Sequence, residues 1–539
     1  MWLAYSERSL ESEELCQALG VEIESVDLDS DNTPSIRTIL NCGLGLVTVD
    51  SLSSKVRLVH FTLQEHILAN HGLFYNPHSM IAEVCLTYLN FGCIKALSPA
   101  LRSPPPITPF LEYASRYWGA HARRQISTSV ISLALKLFDR FDAHICCELL
   151  LRREFENSRW RSAPPMGCTA LHAGAFLGIL EIMVSLLKIN KWELNATDGF
   201  GRTALMWATK MGHDAIVKVL LEQEGVDPHI VDCGGKTLLS WATENGCGGI
   251  AEMLLVRNDV NPDKADWSGR TPLSYAAATL CVETVKMLLK RKDVNPDRVD
   301  KRGKTPLSWA AGAWCVENVK ILLERNDVNP DRADESGRTP LSYAAENVRK
   351  ETMKMLLERN DVNPDTTDKS GRTPLSWAAG NGREAIAEML LERTDVNPDT
   401  ADEDGRTPLS WAATWRSGID GFEGWNERLV NRLLGRNDVN PDRSDKSSRT
   451  PLSWAAEDGR EKIVQMLLER NDVNPDQADK SGPTPLSWAA ENGWKEIVKM
   501  LLERNDVNPD TADDDGRTPL SWAARPGTWS ITVLSIFRL

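Results

Sequence analysis

One spacing constrains this chain more than anything else in it. The segment Arg449–Asp476, R-T-P-L-S-W-A-A-E-D-G-R-E-K-I-V-Q-M-L-L-E-R-N-D-V-N-P-D, recurs in close copies through everything after about residue 160. Its opening threonine can be followed through Thr169, Thr203, Thr237, Thr271, Thr305, Thr339, Thr373, Thr407, Thr450, Thr484 and Thr518, in steps of 34 residues apart from one step of 43 after Thr407. Eleven units of this length are each too short to enclose a core. They must bury their apolar faces against one another, which predicts a solenoid.

Local chemistry decides which solenoid. A period of about 34 residues suits tetratricopeptides, and ankyrin units are usually about 33. A tetratricopeptide joins two long helices tightly, whereas here the helical stretches are short and a polar, turn-forming run separates one pair from the next. Thr305 is placed to cap a helix, and Pro306 takes the first helical position, where no N–H is needed. Further on, Gly212, Gly246, Gly382, Gly459 and Gly493 supply a left-handed stop. A second helix such as Glu461–Glu469 buries Ile463, Val464, Leu467 and Leu468 on one face. R-N-D-V-N-P-D then turns the chain out into a β-hairpin finger, closed by Gly337, Gly371 or Gly405 in their units.

This pattern is similar to the ankyrin repeat, T-P-L-H-x-A-A…G…I-V-x-L-L-L…G-A-D-V-N, over about two-thirds of the chain. The units depart from it in the finger, where V-N-P-D replaces V-N-A and Arg-Asn-Asp replaces Gly-Ala-Asp. Asn326 and its equivalents are expected to take the positive-φ role of the missing glycine. The usual histidine after T-P-L is serine almost everywhere, surviving as His172. Leu280, Trp314 and Val348 stand where the turn glycine belongs, so those turns are expected to be less well formed or rebuilt around an apolar contact.

The net charge of −14 argues against nucleic acid, which needs a basic surface to displace counterions. Eleven scattered cysteines without C-x-x-C suit a reducing compartment and supply neither a disulfide framework nor a zinc site. No apolar run is long enough to span a bilayer, and Met1–Glu14 is no signal peptide, so a cytoplasmic location is expected, with no membrane partner.

Residues 1–75 read as helix, helix, hairpin and helix, with strands at Gly45–Val49 and Val56–Val59, which is the order of a winged-helix-like α/β module. Residues 76–160 read as a helical connector (Met80–Asn90, Phe110–Ala122, Ile131–Leu150) broken at Ser103-Pro104-Pro105-Pro106, and 161–539 as the array. The expected fold is therefore mostly α. The runs W-L-A-Y-S-E-R-S-L-E-S-E-E-L-C-Q-A-L, I-L-N-C-G-L-G-L-V-T-V-D and V-R-L-V-H-F-T-L-Q-E-H-I-L resemble the segment after the nucleotidase core of fungal NACHT–ankyrin proteins. Those are STAND-class ATPases related in layout to NOD-like receptors. The resemblance implies an upstream phosphate loop that this chain starts too late to contain. Gly235-Lys236-Thr237 and Gly303-Lys304-Thr305 lack the earlier glycine, having Ile230 and Arg298 there, and belong to fingers. In related switch ATPases a histidine placed like His60 reads a bound phosphate; the plainer reading is a strand-end histidine packed on its neighbours. His66, His71 and His78 have no ligand spacing, so no metal, cofactor or catalytic residue is expected.

The position four residues after the threonine is aromatic in every unit but the first: Trp207, Trp241, Tyr275, Trp309, Tyr343, Trp377, Trp411, Trp454, Trp488 and Trp522, of which Trp241 through Trp488 are candidate contact residues, with Trp415 and Trp425 of the insertion. This position lies about 200° around the helix from the core leucine, so the rings should align in a ladder. They either wedge between neighbouring first helices or offer their edges to a protein partner. Finger tips vary in charge on a fixed frame, either by drift or to encode a partner. The insertion near 414–424 carries Trp415, Phe422 and, at its end, Trp425, which either fold over the array or form a contact site. After Ala524 the apolar tail R-P-G-T-W-S-I-T-V-L-S-I-F-R-L abandons the repeat, suggesting a fragment or an altered reading frame. The expectation is a non-enzymatic scaffold for an unidentified protein partner. What the NACHT resemblance implies is the sensing part of a fungal NOD-like receptor without its NTPase core. The alternatives are a fragment of a longer ATP-hydrolysing switch and a free-standing ankyrin adaptor.

Overall fold

The computed structural model describes residues 1–70, 72–98, 105–147, 149–150, 167–189, 191–414 and 425–524. His71, Trp415, Phe422 and the apolar tail lie outside the described residues, as does the side chain of Trp425. The chain forms two compact units, Met1–Trp267 and Ser268–Leu539.

The first unit opens as the pattern predicts. Helix Ser12–Gly20 starts in a capping box between Glu11 and Glu14, and Ser35 caps Ile36–Cys42 by accepting from the Thr38 N–H. Strand β1 (Val47–Val49) pairs antiparallel with β2 (Val56–Leu58), Thr48 opposite Arg57. Exposed His60 caps the next helix, Phe61–Ala69, its Nδ1 accepting from the Thr62 N–H. The Ile36–Cys42 and Phe61–Ala69 helices bury no residue, and Leu44, Leu52 and Phe61 lie exposed.

Helices Pro77–Leu89, Leu111–Arg124 and Thr128–Phe138 then pack around Ile81, Leu86, Tyr113 and Trp118. The continuous helix expected over Ile131–Leu150 breaks after Phe138. A 3-10 turn, Phe141–Ala143, brings Phe138 and Phe141 edge to face at 5.3 Å, so both rings enter the core.

A hydrogen-bonded chain runs through this core. Tyr113 Oη accepts the Glu7 N–H (3.1 Å) and is hydrogen-bonded to His121 Nε2 (2.9 Å). His121 Nδ1 in turn shares a hydrogen bond with His78 Nδ1 at 2.8 Å. Burial, reinforced by His78 and Arg124, pushes the His121 pKa down to about 3, and burial pushes that of His144 to about 4.

In the second unit the repeats from Thr271 to Thr484 start on a threonine cap, whereas Thr518 makes no side-chain cap bond. Thr305 Oγ1 accepts from the Ser308 N–H (3.1 Å) and shares a hydroxyl bond with Ser308 Oγ (3.0 Å), so serine does the local work of the usual histidine. Pro306–Gly312 and Val316–Leu323 are the two helices of this repeat, meeting through Leu307, Ala310, Val319 and Leu322. From Ala311 to Ala523 the repeats share one continuous apolar core. Gly382, Gly459 and Gly493 take positive φ as expected.

Three expectations need correction. Asn326 and its equivalents do not adopt positive φ. The helix end is closed from outside instead: Arg325 grips Asp327 through Nε (2.8 Å) and Nη2 (2.6 Å) while Nη1 donates to the Leu289 carbonyl of the preceding repeat (3.0 Å). The turns without glycine follow different routes. Val348 itself adopts φ 59°, whereas Thr279 and Ala313 leave their helices extended, with Leu280 and Trp314 exposed rather than packed. Buried Asn318 steadies the first of these by donating to the carbonyls of Ala276, Ala277 and Thr279. The fingers, finally, are tight turns without paired strands. The Asp334 N–H reaches Arg338 O (3.0 Å), Gly337 N–H reaches Asp334 O (2.9 Å), and a single bond, Glu335 N–H to Arg302 O (2.8 Å), joins finger to finger. Gly337 has φ 79°, and a Cβ there would lie 2.9 Å from Asp368 Cα.

The depressed histidines make the first unit acid-sensitive. Unfolded, both would titrate near 6.5, so the unfolded chain takes up the extra protons. Their contribution is complete above about pH 6.5 and is lost below it, by up to about 1.4 kcal/mol per pH unit for each group. Hydrogen exchange of the Leu111–Arg124 amides in the intact protein should report this loss between pH 7.5 and 5, and His121→Gln should reduce it.

Candidate functional site

The aromatic positions, the finger and the residue before each threonine form one structure. Five residues ahead of the threonine stands an aspartate. In the Thr373 repeat, Asp368 Oδ1 accepts the backbone N–H of Ser370 (2.9 Å) and Arg372 (3.0 Å), which shapes the turn. Its other oxygen, Oδ2, accepts from Trp377 Nε1 at 2.9 Å. The same indole-to-carboxylate bond joins Trp207 to Asp198 (3.0 Å), Trp309 to Asp300 (3.1 Å), Trp411 to Asp402 (2.9 Å), Trp454 to Asp445 (3.1 Å) and Trp522 to Asp513 (2.9 Å). Tyr343 reaches Asp334 through its hydroxyl, and burial with that carboxylate raises the phenol pKa.

Cations complete the ladder. Where the residue before the threonine is Arg or Lys, it lies over the ring of its own repeat and, from Arg270 to Arg449, over that of the next. Arg270 is 3.9 Å from both the Tyr275 and Trp309 centroids, and Lys304 Nζ is 4.7 Å from Trp309 and 3.9 Å from Tyr343. Arg338 spans Tyr343 and Trp377, Arg372 spans Trp377 and Trp411, Arg406 spans Trp411 and Trp454, and Arg449 spans Trp454 and Trp488. In the first unit Arg202 covers Trp207 and Lys236 covers Trp241.

The rings are thus wedged and partly visible at once. Trp207, Tyr275, Tyr343 and Trp522 are buried, while Trp241, Trp309, Trp377, Trp411, Trp454 and Trp488 are half-buried. Trp241 and Trp488 have buried indole nitrogens without a hydrogen-bond partner among the described residues. Pro483 replaces the cation of the Trp488 repeat, where the neighbouring ring, Trp522, lies 6.4 Å away. Outside the ladder, each finger of the second unit presents two exposed tip residues, among them Lys301 and Arg302, Glu335 and Ser336, Lys369 and Ser370, Glu403 and Asp404.

Sequence reading singled out the rings but missed the aspartate and cation that hold them. The signal was present in the recurring D-x-x-G-[RK]-T-P-L-S-[WY] frame. Among the described residues no group of three or more His, Cys, Asp or Glu side chains could hold a metal ion, and no helix is long and apolar enough to cross a membrane.

Stacked helix pairs with tight-turn fingers and a structural ladder define a repeat protein of the interaction type. The chain belongs to the ankyrin-repeat family. A model of ankyrin repeats in three copies matches residues 135–232, 171–266, 217–300, 283–368, 351–423 and 470–535, and a single-repeat model matches 447–480. Residues 1–76 match the winged helix domain of GPI inositol-deacylase. No curated protein matches the chain.

Because Asp368 satisfies three donors and Trp377 contributes one, Asp368→Ala should destabilise the second unit more than Trp377→Phe. Trp377→Phe should cost about 0.5–1.5 kcal/mol and Asp368→Ala about 1.5–3 kcal/mol. Urea unfolding of the two variants beside the parent protein measures the difference.

Proposed function

We propose that this ankyrin array is a recognition scaffold binding a protein partner along the surface made by ring edges and finger tips. The observation that carries the reading is the division of labour within the repeat. In most repeats the aspartate, ring and cation are tied into the stack, while the two tip residues beside them are exposed and change charge from repeat to repeat. Positions released from framework duty can vary with a partner. The winged-helix match at residues 1–76 supports placing the array as the sensing part of a NACHT-type, NOD-like signalling receptor of fungal kind, acting in the cytoplasm. The same match favours a second reading, in which the chain is one part of a longer ATP-hydrolysing switch.

Crosslinking in the native cell followed by mass spectrometry tests the scaffold reading. Partner crosslinks should concentrate at tip lysines such as Lys301 and Lys369 and disappear in a Lys301→Glu, Lys369→Glu double variant whose thermal melt is unchanged. Crosslinks confined to residues 1–76 would overturn it.

A further inference from the structure

The ladder contains its own internal comparison. Where the first helix of a repeat ends in glutamate, the cation before the threonine pairs with it. Lys236 Nζ lies 2.7 and 2.6 Å from the two carboxylate oxygens of Glu244, and Arg338 and Arg449 pair with Glu346 and Glu457. In the Thr305 repeat the spacing, the threonine cap and the seven-residue helix are the same, yet the last helical residue is Gly312. Lys304 therefore lacks the helix-end glutamate; it is held between the Trp309 and Tyr343 rings, and the charges of Asp334 and Asp300 only partly offset its burial.

A second cation holds the backbone of that residue. Arg349 directs Nε and Nη2 to the Gly312 carbonyl, each at 3.3 Å, with its guanidinium 3.6 Å from the centroid of the Trp314 ring. Trp314 is 81% exposed, the turn around it having left the helix extended. There is room for a side chain: a Cβ on Gly312 would meet Asn347 Nδ2 at 3.6 Å and Tyr343 Cβ at 4.0 Å, which are ordinary contacts. Burial lowers the Lys304 pKa, so an added anion would relieve a desolvated charge.

We propose that the notch at Gly312 receives a carboxylate from an acidic segment of the protein partner. That side chain takes the place Glu346 and Glu457 fill in their own repeats, and an apolar neighbour in the segment lies on Trp314. The inference rests on the scaffold reading above and names the chemistry of what the scaffold takes. A net charge of −14 gives no long-range attraction for acidic chains, so selection is short-ranged, for one registered side chain and against polyanions. A carboxylate is favoured over other anions because the chain itself uses glutamate at the equivalent positions.

Gly312→Glu builds the missing partner into the chain and is the decisive variant. The probe is a random twelve-residue peptide display panned on the full-length protein, with enriched sequences remade as synthetic peptides. Wild type should enrich peptides carrying Asp or Glu beside a large apolar residue. Their affinity should fall at least tenfold in Gly312→Glu and in Lys304→Gln, while the Gly312→Glu melt stays level or rises. A variant that merely misfolded would lose the melt as well. Enrichment of peptides without an acid, acidic peptides indifferent to both variants, or no enrichment would each overturn the inference. In the first case, binding at tip residues would leave the scaffold reading standing; absence of both peptide binding and tip crosslinks would remove it too.

Discussion

The second unit depends on a carboxylate that binds in two directions. Asp300, Asp334, Asp368, Asp402, Asp445 and Asp513 each use one oxygen to hold the finger turn and the other to hold a ring on the following helix. The finger of a repeat is too short to be stable by itself, with one or two backbone bonds of its own. Tying it to the helix fixes the ring, and the fixed ring gives the cation ahead of the threonine a surface to lie on. That cation reaches the ring of the next repeat, so local turn geometry is transmitted into stacking. Hydrogen bonds to a charged acceptor, each worth about 1.5–3 kcal/mol, suit this role better than the apolar contact alone.

Charge is arranged on the same principle. At the base of each finger, Arg359–Asp361, Arg393–Asp395, Arg436–Asp438, Arg470–Asp472 and Arg504–Asp506 repeat the Arg325–Asp327 pair, and each arginine also caps a helix of the preceding repeat. These aspartates are exposed and their pKa values lie below the usual range because the guanidinium donates to them. Exposed pairs contribute little by charge alone. The helix-capping bond gives the arginine its structural value. The N-P-D aspartates behave oppositely. Asp365 and Asp442 accept the Asn397 and Asn474 N–H groups of the next repeat, and burial raises their pKa. The residue that makes these units longer than a usual ankyrin repeat sits in this stitched segment.

Much of this was legible because repetition reports backbone requirements well. Threonine caps, the proline after them and the stop glycines are local rules, readable from one unit and repeated in the others. The winged-helix order at the start was legible for the same reason. Bonds between side chains were not: a period shows that Asp368, Arg372 and Trp377 recur together, but gives no direction for the carboxylate. Asn326 was misread because a missing glycine was assumed to need a substitute within the same turn. The substitute is a guanidinium, Arg325, acting on the neighbouring repeat. Val348 shows the converse, a β-branched residue holding φ 59° at a turn where other repeats place glycine.

The irregular repeats follow from this separation of framework and surface. Stacking requires the aspartate, the ring and the apolar pair, so those positions tolerate little change. The last residue of the first helix has no such duty: it is glutamate in the Thr339, Thr450 and Thr484 repeats, glycine in the Thr305 and Thr373 repeats, and threonine in the Thr407 repeat. Where glutamate and cation occur together the ladder is closed on itself, as at Arg338–Glu346. Where glycine stands, a charge already placed between two rings keeps its position without its carboxylate. Desolvation of such a cation is unfavourable to the extent that opposite charge does not offset it, and Asp334 and Asp300 at Lys304, like Asp402 and Asp368 at Arg372, offset it only in part. The stack bears that unfavourable term at Lys304 and Arg372, whose pKa values are both lowered by burial. The residue offered to each cation thus changes from one repeat to the next while the framework beneath stays the same.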